Sequence, residues 1–187
     1  IETAHFMAST VTYLRDTRSE TSDELTSALV ESAELQLAMR LLAAGASVVT
    51  AGRGEHRSGA TVTSATALSM EPPIIVNINR SASVWPIINR HNHFCLKILS
   101  AGQQYVADRF AGKDGIKGIA RYDGAEWFEL ESGALALSGA LASVDCAVED
   151  VIERHTHAII IGSALKIVSR GGEPLVYHNG GYRSLGF

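Results

Sequence analysis

A mainly β fold with flanking helices, an antiparallel barrel in a single domain, is what the sequence predicts. Three observations predict it. Six segments rich in Val, Ile and Thr recur between residues 46 and 168, each bounded by turn residues. Few long helical patterns separate them, which argues against a parallel βαβ sheet. The chain of 187 residues fits one domain in length and shows no internal repeat.

The elements follow in order. Residues 1–20, rich in Thr, Ser and charge without a sustained period, are expected to form an N-terminal arm, and residues 21–187 the domain. Thr21 and Glu24 fit a capping box, in which hydroxyl and carboxylate satisfy the first free amides of a helix. Leu25, Leu29, Ala33 and Leu37 then place one apolar stripe along that helix, and Gly45 is placed to end it. Strands are expected at 46–51 (ASVVTA), 58–63 (SGATVT), 74–79 (IIVNIN), 94–99 (FCLKIL), 140–152 (ALASVDCAVEDVI) and 157–168 (HAIIIGSALKIV). Two short helices fit between them, at 83–91 and 101–112. The run GRGEHRSG (52–59) invites comparison with a dinucleotide-binding G-x-G-x-x-G. It carries Arg57 at the third glycine and leads into a strand, so it reads as a hairpin turn.

Composition narrows the function classes. Twenty acidic against sixteen basic residues give a net charge of −4, the wrong sign for nucleic-acid binding. Cys95 and Cys146 lie in apolar runs with no metal-type spacing and read as small core residues. No apolar stretch reaches membrane-spanning length and no signal-peptide pattern opens the sequence, so a soluble, cytoplasmic protein is expected. His155 and His157 stand two apart at the mouth of a strand, as do His91 and His93. Neither pair has an evident third ligand, and no metal is expected. No serine sits in a G-x-S-x-G context.

Hydroxyl and amide groups instead accumulate at turns: Thr63, Ser64 and Thr66 in TVTSAT, Asn79, Arg80, Ser81 and Ser83 in NRSAS, and Ser100 and Gln103 in SAGQQ. Ser83 is also placed to cap the helix at 83–91, whose free amides would favour an anion. Together these turns suit a ligand with a phosphate and several polar edges, since charge-assisted bonds to phosphate contribute about 1.5–3 kcal/mol each.

The ordered series AMRLLAAGASVVTA, SGATVTSATALSMEPPIIVNINRSASVWPII, FCLKILSAGQQYVADRFAG, GALASVDCAVED, HTHAIIIGSALKIV and PLVYHNGGYRSL resembles the short-chain flavin reductase family. These are flavin-binding split β-barrels that serve as reductase components of two-component monooxygenases, and the likeness runs from about Leu35 to Leu185. The resemblance implies that Thr63, Ser64, Ala65 and Thr66 line the isoalloxazine edge, and that Asn79, Arg80, Ser81 and Ser83 hold the ribityl chain and phosphate. It places Ser100, Ala101 and Gln103 near other polar atoms of the flavin, and Tyr182 in the terminal Y-x-x-L. His157 falls where the family has a histidine beside the nicotinamide, as an orienting donor; the segment RHTH supplies Arg154 and Thr156 where glycine and aspartate are common.

The implied reaction passes hydride from nicotinamide C4 to flavin N5, so the cofactors carry the chemistry and no side-chain nucleophile is needed. FMN or FAD, and NADH or NADPH, remain open. Arg53 or Arg57 would meet a 2′-phosphate, or else is simply solvated. The resemblance also implies a homodimer and a separate oxygenase that receives reduced flavin. Two other readings stand beside it: a fixed FMN that reduces a corrinoid or iron centre, and a non-catalytic flavin-binding barrel.

Overall fold

The structure, a computed structural model, describes residues 29–69, 71 and 73–186. The chain divides into two compact units, Ile1–Ala38 and Met39–Phe187. Thr21, Glu24, Leu25 and the expected arm lie outside the described residues. Helix α1 (Ser32–Arg40) starts where the amides of Glu34 and Leu35 bond the Glu31 carbonyl, and its Leu35, Leu37 and Met39 are exposed. It stops at Arg40, short of Gly45. Gly45 lies instead in strand β1 (Ala44–Gly45), paired with Val176, because the extended backbone there gains a ladder partner that another helical turn would forfeit.

The second unit holds strands β2 (Ser47–Ala51), β3 (Ser58–Val62), β4 (Ala65–Ala67), β5 (Pro73–Asn79), β6 (His93–Ile98), β7 (Trp127–Glu129), β8 (Leu135–Leu137), β9 (Ala142–Arg154), β10 (His157–Ser169), β11 (Val176–His178) and β12 (Gly181–Arg183). Seven form an antiparallel sheet in the order β3-β2-β6-β9-β10-β5-β4; β1-β11-β12 make a small sheet and β7-β8 a hairpin. All six predicted strands are present. The unpredicted ones, β1, β4, β7, β8, β11 and β12, have two or three residues each, too short to show an alternating pattern.

Period-2 alternation sends the side chains of the large sheet to two cores. One is built from Val49, Ala51, Val76, Ile78, Phe94, Leu96, Cys146 and Ile160, covered by Ile88 of helix α2 (Trp85–His91) and by Val84 just before it. The other joins Val48 and Leu99 to helix α3 (Gln104–Phe110) through Val106, Ala107 and Phe110. Both cysteines are buried and free, as a small-core reading expects. Tyr122 packs edge-on to Phe110 and Trp127 at 5.0 Å from each.

The sheet is curled. β3 stands at one edge and β5 next to the other, yet residues of both line one cavity, so the curl brings distant strands to a common seam. Register shifts in the β9–β10 pair, at Ile161/Gly162 and Ala164/Lys166, supply the bend. The bend needs glycine at 162, where a Cβ would stand 2.6 Å from the Phe94 ring. Among the described residues no helix is long and apolar enough to cross a membrane.

Candidate functional site

The seam encloses about 240 Å³, lined by Ala60, Thr61, Val62, Thr63, Ser64, Asn77, Ile78, Asn79, Ala82 and His157. Of the sequence-predicted residues, Thr63, Ser64, Asn79 and His157 therefore meet. Ser64 Oγ donates to the Asn77 carbonyl at 3.2 Å, which ties the segment after β3 to β5. His157 opens β10 opposite Asn79, and its Nδ1 lies 2.9 Å from Thr156 Oγ1. That contact fixes the ring and leaves Nε2 for a ligand. Ala65 packs on the first core; Thr66 is exposed in β4, and neither lines the cavity.

The turn after β5 is organised by Asn79, whose Oδ1 accepts from Ser81 N at 2.9 Å and Ser81 Oγ at 2.8 Å. Arg80 turns its guanidinium to Glu153 at 2.6 Å and to the His155 carbonyl at 3.2 Å. Ser83 does not cap the helix. Val84 holds the N-cap position without a side-chain bond, and Ser83 Oγ instead lies 2.8 Å from Ser58 Oγ and accepts from Arg121 Nη1 at 3.1 Å. Nor does the helix offer an amide cradle. Pro86 has no N–H, and the amides of Trp85 and Ile87 already bond the carbonyls of Ala82 and Val84.

Ser100, Ala101 and Gln103 line a different cavity, with Tyr105, Gly139 and Arg170, that shares no lining residue with the seam. Gln103 there accepts from Ser100 N at 3.1 Å and donates to the Ser138 carbonyl at 3.0 Å, which fixes the turn into α3. Tyr182 lines neither. It stacks edge-on with Tyr177 at 5.3 Å, and burial, with the nearby Asp108 carboxylate, pushes its phenol up to about 12.

The first histidine pair differs from the sequence expectation. His155 is not on a strand face: it sits at φ 48° in the two-residue turn between β9 and β10, because the strands pair Arg154 with His157. His93 Nδ1 lies 3.0 Å from the His91 carbonyl, and burial lowers its pKa. Among the described residues no three His, Cys, Asp or Glu side chains are grouped to hold a metal. Arg53 and Arg57 are not free hairpin arginines: Arg53 donates to the Ser132 carbonyl at 2.6 Å, and Arg57 lies 4.7 Å over the Tyr122 ring.

Residues 39–186 match the flavin reductase like domain. The chain belongs to that family. It is 31% identical over 160 residues to the FMN reductase (NADH) RutF of Klebsiella pneumoniae, covering 84% of this chain and 96% of that protein. Its structure is similar to NADH:FAD oxidoreductase SgcE6 of Streptomyces globisporus C-1027, with a TM-score of 0.76 and 26% identity over 84% of this chain and 97% of that one. It is also similar to BorF, the flavin reductase component of a bacterial two-component tryptophan halogenase, with a TM-score of 0.75 and 29% identity over 83% and 98%.

The seam of this flavin reductase-like chain fits a flavin on its own evidence. Asn77 Oδ1 is buried in the cavity lining with no hydrogen-bond partner, an arrangement whose cost a ligand donor would relieve. Sequence reasoning missed Asn77 because it reads as one residue of a strand. A signal existed: Asn77 and Asn79 are two apart, so they share a face in an otherwise apolar run. It also missed Arg121, which no local pattern links to Ser83.

Proposed function

We propose that the chain is an NAD(P)H:flavin oxidoreductase that moves hydride from NADH to FMN or FAD and supplies reduced flavin to a separate monooxygenase. The observation that carries this reading is the seam cavity itself: hydroxyl and amide groups from β3, β5 and the turn after β5, an unpartnered buried amide, and a histidine at the start of β10. When bound, the flavin and the nicotinamide supply the redox chemistry. The chain supplies position. Ser64 ties the segment after β3 to β5, Asn79 shapes the turn after β5, and Val62 and Ile78 present apolar surface that excludes water. His157, held through Nδ1 by Thr156, directs Nε2 at the substrate and orients it without taking a proton.

The reading includes a homodimer. Leu165 and Ile167 on the second half of β10 are exposed and line a cavity of about 470 Å³ with Pro73, Ile74, Val144 and Ala164. A second copy covering this face would bury that apolar surface. Sedimentation equilibrium that returned a monomer at micromolar concentration would remove the dimer from the proposal.

The function is tested by NADH oxidation under air, with and without added FMN and FAD. Oxidation that saturates with free flavin is the expected result. A bound flavin reduced once without turnover would instead indicate a dedicated electron acceptor, and a protein with no flavin affinity would defeat the reading. Replacing His157 with Ala is expected to raise KM for NADH or lower kcat; a variant unchanged in both would remove it from the site.

A further inference from the structure

Two turns meet at one end of the seam cavity, and a single residue joins them. Asn79 and Ala82 line the cavity from the turn after β5, and His157 lines it from the start of β10. Asn79 and His157 are partners across the β5–β10 ladder, so the turn after β5 lies beside the turn between β9 and β10. Arg80 bridges the two. Its amide donates to the Thr156 carbonyl at 2.9 Å, its Nη1 donates to the His155 carbonyl at 3.2 Å, and its Nη2 lies 2.6 Å from Glu153 Oε2.

The β9–β10 turn has a reason to be held. His155 sits there at φ 48°, in the left-handed region that a residue with a Cβ disfavours, and such a conformation persists only where its surroundings impose it. Arg80 takes the carbonyls of both turn residues. Thr156 in its turn sets the next side chain, since its Oγ1 lies 2.9 Å from His157 Nδ1. A contact chain thus runs from Arg80 through Thr156 to the ring that faces the cavity. The same contacts disfavour Arg80 as a phosphate ligand. Glu153 already neutralises its guanidinium, and an incoming phosphate would have to displace that carboxylate or lie beside it as a like charge.

We propose that Arg80 is a positioning residue that clamps the β9–β10 turn onto the turn after β5 and thereby fixes His157 against the flavin side of the seam, without carrying the flavin phosphate. The inference rests on the flavin reading of the seam and on His157 as its orienting donor. The Arg80 and Glu153 side chains are 43% and 47% exposed, so their pair contributes little to global stability. Its effect is local, where a small misplacement costs rate and not fold.

The test compares Arg80→Gln, Glu153→Gln and the double variant in two measurements: anaerobic reduction of protein-bound FMN by NADH in a single turnover, and equilibrium titration with FMN and with riboflavin. Glu153 does not line the seam cavity, so its variant reports on the clamp without removing a ligand contact. Each single variant is expected to melt as wild type, to bind FMN as wild type and to reduce it about 3- to 10-fold more slowly at subsaturating NADH. The double variant should be no slower than the slower single one, because both changes remove the same contact. In a His157→Ala background Glu153→Gln should add nothing, since the clamp acts through the histidine. Reduction at the wild-type rate in Glu153→Gln would overturn the clamp, as would an undiminished loss in the His157→Ala background. An Arg80→Gln variant that lost FMN selectively over riboflavin, beside a Glu153→Gln variant that did not, would make Arg80 a phosphate ligand after all. Should Arg80→Gln fail to fold, the Glu153→Gln results decide alone. A wild type that bound no flavin would defeat the flavin reading itself, which separates the two failures.

Discussion

Asn77 stands where a strand interior would be most stable with an apolar side chain. Its Oδ1 is buried and unpartnered, and leaving such a group unsatisfied costs about 1–3 kcal/mol. A residue that costs stability while lining the candidate cavity fits a role in holding a ligand. Replacing Asn77 with Leu is therefore expected to raise the melting temperature of the flavin-free protein while weakening flavin binding. A variant that melted lower and bound flavin as wild type would show that Asn77 is structural. At this scale the sequence is legible in kind and not in partner. The polar character of NRSAS is plain, and Asn79 with Ser81 forms the local turn such residues favour. Ser83 takes partners 25 and 38 residues away, which no spacing encodes.

At the scale of elements, the β7–β8 hairpin was unreadable, with three-residue strands and no alternation, yet it is firmly held. Thr50 Oγ1 donates to the Leu135 carbonyl at 2.7 Å, and Asp145 accepts from Ser132 N at 2.7 Å and Ser132 Oγ at 2.5 Å. Beneath it Lys97 is fully buried, donating to Thr50 Oγ1 and to the Cys95 carbonyl. Desolvation drives the Lys97 ammonium down from 10.5 to about 8, against the opposing charges of the Cys95 thiol and Asp145. Between those two values the unfolded chain binds the proton and the folded chain does not, so stability rises with pH through that window. Below about 8 the ammonium is charged in both states and its penalty, roughly 3 kcal/mol, is constant. Cys146, pushed up to about 12 by burial, and the buried tyrosines act in the opposite sense at higher pH, so the Lys97 signature is clearest from about pH 7.5 to 9. Thermal melts across that range should climb for the wild type and flatten for Lys97→Met. Parallel slopes for the two proteins would show that Lys97 keeps its proton.

For the whole molecule, the barrel was legible because its six main strands carry Val, Ile and Thr in runs long enough to declare themselves, whereas the closure that makes the cavity was not. Closure depends on contacts between β3 and β5, across almost the full width of the sheet, and on the bend where β10 crosses Phe94. Gly162 is the point at which that bend can be tested. A methyl group there would meet Phe94 Cε1 and Cζ at 2.6 Å and the Cys146 Cβ at 3.1 Å, in a core with no slack to receive it. Gly162→Ala is expected to lower unfolding free energy in urea by about 1–3 kcal/mol, the usual range for overpacking. If the loss comes from that collision, shrinking the ring must relieve it. In a Phe94→Leu background the same glycine substitution should therefore cost measurably less, a coupling of at least about 0.5 kcal/mol. Additive losses would mean that the alanine strains the β9–β10 register itself, independently of the Phe94 ring. In that case the bend would be set by the bulge alone, and flavin binding, which needs β3 and β5 to meet, would survive Phe94→Leu and still fail in Gly162→Ala.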